Sequence, residues 1–487
     1  MTFSNGVNKK IPAVISILLL ASVVFLSGCG CKKQVPNYEA RLEIWGLFDD
    51  SDTMAKAISE YKKRNPLVKG IEYKKMTVDS YENDLRDALA AGKGPDIFLI
   101  HDTWMTKHQD KMAPAPDQVV NAKMMQDLFV DVVSQDFVKE SKVYAVPLSV
   151  DSLALYFNKD LLNQAGLSAP PRTWAEFDEA VTRLTKIDSF GNIVQSGTAM
   201  GASSDASAGD GKINRATDIL TAIMMQAGTQ MYDPKTNLAT FAEFTSASLS
   251  GNNPISPGQA ALAYYTKFSN RSNKEYSWNS MMHNSVDSFI EGQTAMTLNY
   301  SWLIPKIQSK APKMNLGISA LPQNIDKSGK GVNLNFANYW GYAVSKNKTA
   351  QTDSTSGNSG KTPATNDQRI AEAWSFIRYL TMPPVASLDL PKPAATKESA
   401  DYDPAAEYAI TQKKPAARRD LVGTQRNDLT LAPFAEGNII AKSWPQPDNL
   451  GVEKIFNDMV DEVALKNADP NKAIENAQKS VNLLIKR

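Results

Sequence analysis

The 487-residue sequence predicts an α/β fold of two lobes, and three observations lead there. Residues 39–100 alternate strand, helix, strand, helix, strand, the pattern of a parallel sheet covered on both faces. The stretch Val143–Asp160 (VYAVPLSVDSLALYFNKD) holds two β-prone runs, Tyr144–Val150, broken by Pro147, and Leu153–Phe157. Proline is confined to strand ends, edges and bulges, so this stretch reads as one chain passing between two sheets. Beyond it a second unit starts, on a helix announced by Thr173 and Glu176 at capping-box spacing.

Each element has its own signal. Glu39–Leu47 alternates as a first strand, Met54, Ile58 and Tyr61 mark a helix that must end near Asn65-Pro66, and Ile71–Met76 is a second strand. Tyr81, Leu85 and Leu89 define another helix, stopped at Gly92, before Gly94-Pro95-Asp96 and the strand Ile97–Ile100. In the second unit Trp174, Phe177, Val181 and Leu184 share one helix face, and Ala216–Ala227 is an apolar helix. Trp174 and Trp374 lie on such faces and are expected in the cores. Ser203–Gly211 and Gln351–Asn366 have the composition of surface loops. Two helices close the chain, one on Val452, Ile455, Phe456, Met459 and Val463, the other on Ile474, Val481, Leu484 and Ile485.

Composition, 42% hydrophobic and 22% charged, suits two substantial cores. Lys9 and Lys10, the apolar run Ile11–Leu26 and then Leu26-Ser27-Gly28-Cys29 make a charged n-region, an h-region too short to span a bilayer comfortably, and a small-residue cleavage site. L-S-G-C resembles the bacterial lipobox, which implies removal of residues 1–28, lipidation of Cys29, a tether over 29–38 and a membrane held by lipid alone. Cys31 is the only other cysteine, so no intramolecular disulfide framework is expected. Subtracting Lys9 and Lys10 from the 53 basic side chains leaves 51 against 52 acidic, which gives no global field for nucleic acid. The one basic cluster, Lys413, Lys414, Arg418 and Arg419, reads as a solvated helix face.

The order P-L-S-V-D, L-Y-F-N-K-D, A-G-L, P-P and T-W-x-E-F across residues 147–177 resembles the extracellular solute-binding proteins of bacterial ABC importers, in the branch that includes maltose- and oligosaccharide-binding proteins. A-G-K-G-P-D-I-F-L-I-H-D-T-W, N-R-A-T-D-I-L with M-M-Q-A-G-T-Q-M-Y, IEGQTAMTLNYSW, LGISALPQ and ANYWGYAVSK extend the resemblance in chain order. It implies a type II-like periplasmic-binding-protein fold with a hinge and an interlobe ligand cleft. The first lobe would be 39–149 plus about 320–398 and the second 150–319 plus about 399–487, crossing near Ser149–Ser152, near Ser319 and near the start of the C-terminal helices. A monomer that captures a small solute, expected to be a sugar or oligosaccharide, and hands it to ABC permease subunits is the function implied.

The chemical candidates agree with capture. His101, His108 and His283 lack metal spacing, and no phosphate loop, G-x-S-x-G or dinucleotide fingerprint is present, so neither metal nor cofactor is expected. A sugar presents C–H faces and a ring of hydroxyls, which aromatic surfaces and directional carboxylates suit. The candidate ligand-binding residues are Trp45, Asp49, Asp50, Asp102, Trp104, Asp151, Tyr300, Trp302, Tyr339, Trp340 and Trp444. Trp45, within an apolar strand, and Trp444, in a loop, fit a core place equally well. Thr103 and Asp50 stand where maltose-binding proteins carry basic residues, which sets maltodextrin itself in doubt. Other solutes, a secreted carbohydrate-active enzyme and a ligand-sensing lipoprotein acting on a signalling receptor remain open alternatives.

Overall fold

The computed structural model describes residues 37–204, 211–246, 248–250, 254–325, 331–348, 361–384, 402–446 and 448–485. Cys29, the leader 1–28 and most of the tether 29–38 lie outside them, as do parts of the two expected loops. In the first half, the elements that position the site are β1 (Tyr38–Gly46), α1 (Ser51–Arg64), β2 (Val68–Lys75), α2 (Val78–Ala90), β3 (Ile97–His101), α3 (Asp131–Phe137), β4 (Ala145–Val146), β5 (Asp151–Ser152), β6 (Ala154–Asn158), α4 (Trp174–Leu184), β7 (Ile193–Thr198) and α5 (Ala216–Gln226). In the second they are β8 (Thr294–Asn299), β9 (Leu316–Ala320), β10 (Asn335–Asn338), β11 (Trp340–Val344), α6 (Asn366–Thr381), α7 (Pro404–Thr411), α8 (Ala432–Ile439), β12 (Ala441–Lys442), α9 (Asn449–Ala464) and α10 (Pro470–Ile485).

Two sheets form, each with its own core. The first runs β2-β1-β3-β11-β4, with β1, β2 and β3 parallel and β11 antiparallel to both its neighbours. Every residue of β3 is buried, as a central parallel strand requires. The second runs β9-β6-β8-β7, with the short strand Lys186–Ile187 at its edge. The capping box of α4 is present, Thr173 Oγ1 accepting the Glu176 N–H at 3.2 Å while Glu176 accepts the Thr173 N–H at 3.3 Å, a device worth about 1 kcal/mol. Trp174 and Trp374 are buried, each in a lobe core.

Between the sheets lies a third, of three short strands: β5 antiparallel to β10, and β10 parallel to β12. Side chains change core across each strand. Val150 packs in the first core and Leu153 in the second; Phe336 in the second and Ala337 in the first; Ala441 in the first and Trp444 in the second. The chain thus crosses between lobes three times, side by side. The crossings are stitched by buried amides: Asn438 Nδ2 donates to the Val150 carbonyl at 2.6 Å, and Asn335 Nδ2 to the Leu153 carbonyl at 2.8 Å. Gly437 sits in α8 where any Cβ would meet Ser152 Oγ and Asn335 Nδ2, so the helix can approach the strands only without a side chain.

Three expectations are corrected by this packing. Ser319 is not at a crossing; it lies inside β9 opposite Leu155, and the return comes at Phe336-Ala337. Residues 404–422, expected in the second lobe, pack on the first core through Ala405, Ala409, Ala416, Ala417 and Val422. Arg418, expected on a solvated face, is buried, with Nη2 2.6 Å from Asp403 and 2.7 Å from Asp420; a paired guanidinium can be desolvated where a lone one cannot.

Candidate functional site

In open α/β sheets ligands collect at the carboxyl ends of strands. Strand β3 ends at His101, and its register with β11 sets Trp340 directly beside it. Trp104 and His101 each meet the Trp340 ring edge-on at 5.0 Å, and the half-exposed Phe48, from the loop after β1, approaches it at 5.8 Å. This aromatic cluster is the first-lobe side of the crevice. Behind it Tyr339 bridges two aspartates: its backbone N–H donates to Asp102 Oδ1 at 3.4 Å and its hydroxyl to Asp136 Oδ2 at 2.6 Å. Asp136, at the end of α3, also accepts from the Ser443 hydroxyl, just past the third crossing.

Burial dominates the charges here. Asp102 is buried with Oδ2 lacking a hydrogen-bond partner among the described residues, and desolvation, reinforced by the nearby Asp136 charge, raises its carboxyl well above the usual range. Burial pushes Asp136 up to about 7 against the hydrogen bonds from Ser443 and Tyr339. Burial likewise pushes the His101 imidazole down to about 4; a hydrogen bond with Asn338 opposes this, and the positive charge of Arg215 adds to it. His101 is therefore neutral at pH 7.

Arg215 belongs to the other lobe and is near enough for its charge to act on His101. The second side comes from the start of α5 and the end of β8. Asn299 Nδ2 donates to Asn214 Oδ1 at 3.0 Å, which ties the two segments together. The Tyr300 hydroxyl donates to Asp218 Oδ2 at 2.9 Å, and the Arg215 guanidinium lies 5.4 Å from the Tyr300 ring. Asp151, on the first crossing, accepts from the Ser301 hydroxyl at 2.6 Å and N–H at 3.0 Å, while burial pushes it up to about 6. Trp302 follows, half-buried against the second core. A cavity of about 190 Å³ opens between the lobes, with Asp102, Thr103 and Asp136 on one side and Tyr232, Asn237 and Pro445 on the other. A larger one, about 320 Å³, lies within the first lobe between α1 and α7.

Asp102, Trp104, Asp151, Tyr300, Trp302, Tyr339 and Trp340 thus stand at the crossings or at the strand ends beside them. The other four candidates divide between the cores and the loop after β1 that carries Phe48. Trp45 is in the first core, its indole N–H donating to Glu43 Oε1 at 2.8 Å, because it shares a strand face with Glu43. Trp444 packs in the second core against Phe241 and Phe456. Asp49 accepts from the Tyr408 hydroxyl at 3.0 Å, and Asp50 is an exposed partner of Lys75 at 2.8 Å. Sequence reasoning missed Phe48, Asp136, Arg215 and Asp218. Arg215 and Asp218 sit in the N-R-A-T-D-I-L segment, which carried a signal, although none marked either side chain.

The family model described as bacterial extracellular solute-binding protein matches residues 47–386. Among curated relatives, a binding protein of Brucella abortus (strain 2308) is 29% identical over 104 residues, 21% of this chain and 24% of that one, so the match spans about a quarter of its length. The multiple sugar-binding protein of Streptococcus mutans serotype c is 22% identical over 334 residues, 67% of this chain and 72% of the relative. Among solved structures, the sugar-binding protein of Xanthomonas citri superposes with a TM-score of 0.66 at 17% identity, covering 92% of this chain and 97% of that one. At that identity the likeness is one of fold, and the fold shared is a two-lobed solute-binding fold.

Proposed function

Because the chain belongs to the bacterial extracellular solute-binding proteins, we propose that its interlobe crevice captures a sugar or small oligosaccharide for an ABC importer. The reading rests on one juxtaposition: aromatic edges and buried carboxylates of the first lobe, Trp340, Trp104 and Asp102, face a guanidinium, a carboxylate and a phenol of the second, Arg215, Asp218 and Tyr300. Flat apolar rings suit the C–H faces of a pyranose, and the surrounding acceptors and donors suit its hydroxyls. Relatives whose names state sugar binding support the ligand class.

A ligand touching both sides is held best when the lobes approach, and only that difference in affinity shifts the equilibrium between open and closed forms. Three adjacent two- to four-residue strands let the lobes rotate while the cores stay intact. The closed form would dock on membrane permease subunits, and the chain itself would carry out no reaction. Its place is outside the cytoplasm, as the family's is. Lipidation at Cys29 would hold it at the membrane as a monomer, and no helix of the described residues is long and apolar enough to cross one.

Thermal melting against mono- and oligosaccharides, amino acids, polyamines and metal ions tests the reading, because a ligand bound only by the folded form raises Tm with occupancy. A saturable rise with a sugar that is recovered unchanged is expected. No rise with any sugar contradicts the ligand class, and cleavage of the sugar contradicts the absence of catalysis.

A further inference from the structure

Arg215 occupies a position where three local preferences oppose an arginine. Its backbone is left-handed, φ 64° and ψ 26°, a conformation that costs a non-glycine side chain about 1 kcal/mol or more. It is the N-cap of the 11-residue helix α5, a place favouring Ser, Thr, Asp or Asn, and it makes no capping hydrogen bond. Its positive charge also stands at the positive end of the helix dipole. Glu140, Ser141 and Asn467 share the left-handed backbone, but they are exposed turn residues that bear no such load.

What holds the guanidinium is slight. Nη1 is 3.7 Å from Asp218 Oδ2 and the Tyr300 ring lies beyond 5 Å, at 5.4 Å. Among the described residues it makes no hydrogen bond, so all five of its N–H donors are unspent. A residue kept against local preference and left with unspent donors at a crevice is a mark of function. Its charge, however, is already answered: the carboxylates of Asp218, Glu453 and Asp151 all act on it. Arg215 therefore offers directed donors more than net positive charge.

Resting on the sugar-capture reading, we propose that Arg215 determines the specificity of the crevice, donating from the second lobe to the ring or hydroxyl oxygens of an uncharged saccharide. A planar fork of donors fixes the orientation of what it holds, as the single ammonium of lysine does not. Asp218 and Tyr300 serve as positioning residues for it.

The test uses the purified full-length chain and two substitutions that tolerate a left-handed backbone, Arg215→Asn and Arg215→Gly, with Arg215→Lys as a third. Melting without ligand and calorimetric Kd values for maltose, raffinose and glucuronic acid are measured on each. Both backbone-compatible variants are expected to melt at or above the wild-type temperature, because strain is relieved, while Kd for the neutral sugar that binds rises at least tenfold. Arg215→Lys is expected to lose most of the same affinity. A Kd within twofold of wild type in Arg215→Asn overturns the inference alone, as does a ligand-free Tm several degrees lower in both backbone-compatible variants. Glucuronate bound more tightly than either neutral sugar overturns the assignment of an uncharged ligand. A wild-type chain that binds neither neutral sugar nor glucuronate instead overturns the sugar reading on which the inference stands.

Discussion

Strand β3 begins just after one buried aspartate and ends just before another, and the two are treated in opposite ways. Asp96 accepts from Arg369 Nη1 at 2.6 Å, from Lys348 Nζ at 2.9 Å and from the Glu43 N–H at 2.7 Å. Asp102, five residues beyond the strand's first residue and equally enclosed, has an oxygen with no hydrogen-bond partner among the described residues. A buried carboxylate is stable only when its lone pairs are used. The first end of the strand is thus closed and holds β1, β3 and α6 together, while the second is left open beside a crevice. Residue type and burial are the same at both ends, so the hydrogen-bond account separates structure from function here.

Breaking the closed end gives the largest effect. Asp96→Ala strands the buried Arg369 and Lys348 charges, and a loss of about 3–5 kcal/mol in unfolding free energy is expected in denaturant titration. A loss below 1 kcal/mol would show the two ends to be alike. At the open end, Asp102→Asn replaces a desolvated carboxyl with a permanently neutral group of the same shape. Melting is expected to hold or rise, while Kd for the bound sugar, read by calorimetry, weakens at least tenfold, about 1.4 kcal/mol. Equal binding would assign Asp102 to the scaffold.

A pH series sharpens the contrast. Asp136 is raised to about 7 and Asp151 to about 6, both above the ordinary unfolded value of about 3.9. A carboxyl raised in the folded state contributes stability that is fully present below its unfolded pKa and is lost as pH climbs through the folded one. Wild-type stability should therefore decline between pH 4 and 7 relative to Asp136→Asn, with the two melting curves compared at each pH. A difference that stays flat over that window would contradict the desolvated, partly protonated state of Asp136. The smallest effect is expected at Asp50, exposed and paired only with Lys75: Asp50→Ala should change unfolding free energy by no more than about 0.5 kcal/mol and leave sugar affinity unaltered.

Much of this was legible in the residues themselves. Period-two and helical spacing located β1 to β3 and the helices between them, since those elements bury one face or both and the pattern reports that directly. Pro147 betrayed the first crossing. The return to the first lobe was bracketed by LGISALPQ and ANYWGYAVSK, but its place, expected near Ser319, was not, because ANYWGYAVSK reads as one extended run whereas Tyr339 divides it between two sheets. Trp340 and Tyr300 were marked by segments that resemble the family's, whereas Asp102 and Asp151 stood out as polar residues following apolar runs. Arg215 and Asp136 did not, because what marks them is a backbone angle in one case and a partner more than 200 residues away in the other. Trp45 and Trp444, which fitted a core place and a ligand place equally well, lie in the cores, because aromatic character near the right segment does not say which way a ring points.

The distance between the lobes tests the capture of a ligand between them most directly. Paired spin labels at the exposed positions Lys123, in the first lobe, and Lys479, in the second, introduced as Lys123→Cys and Lys479→Cys, would report it by pulsed electron resonance. Capture in the crevice predicts that saturating sugar shortens and narrows the distance distribution, and that Asp102→Asn needs at least tenfold more sugar to do so. A distribution unchanged by a sugar that demonstrably binds would place the ligand somewhere other than between the lobes.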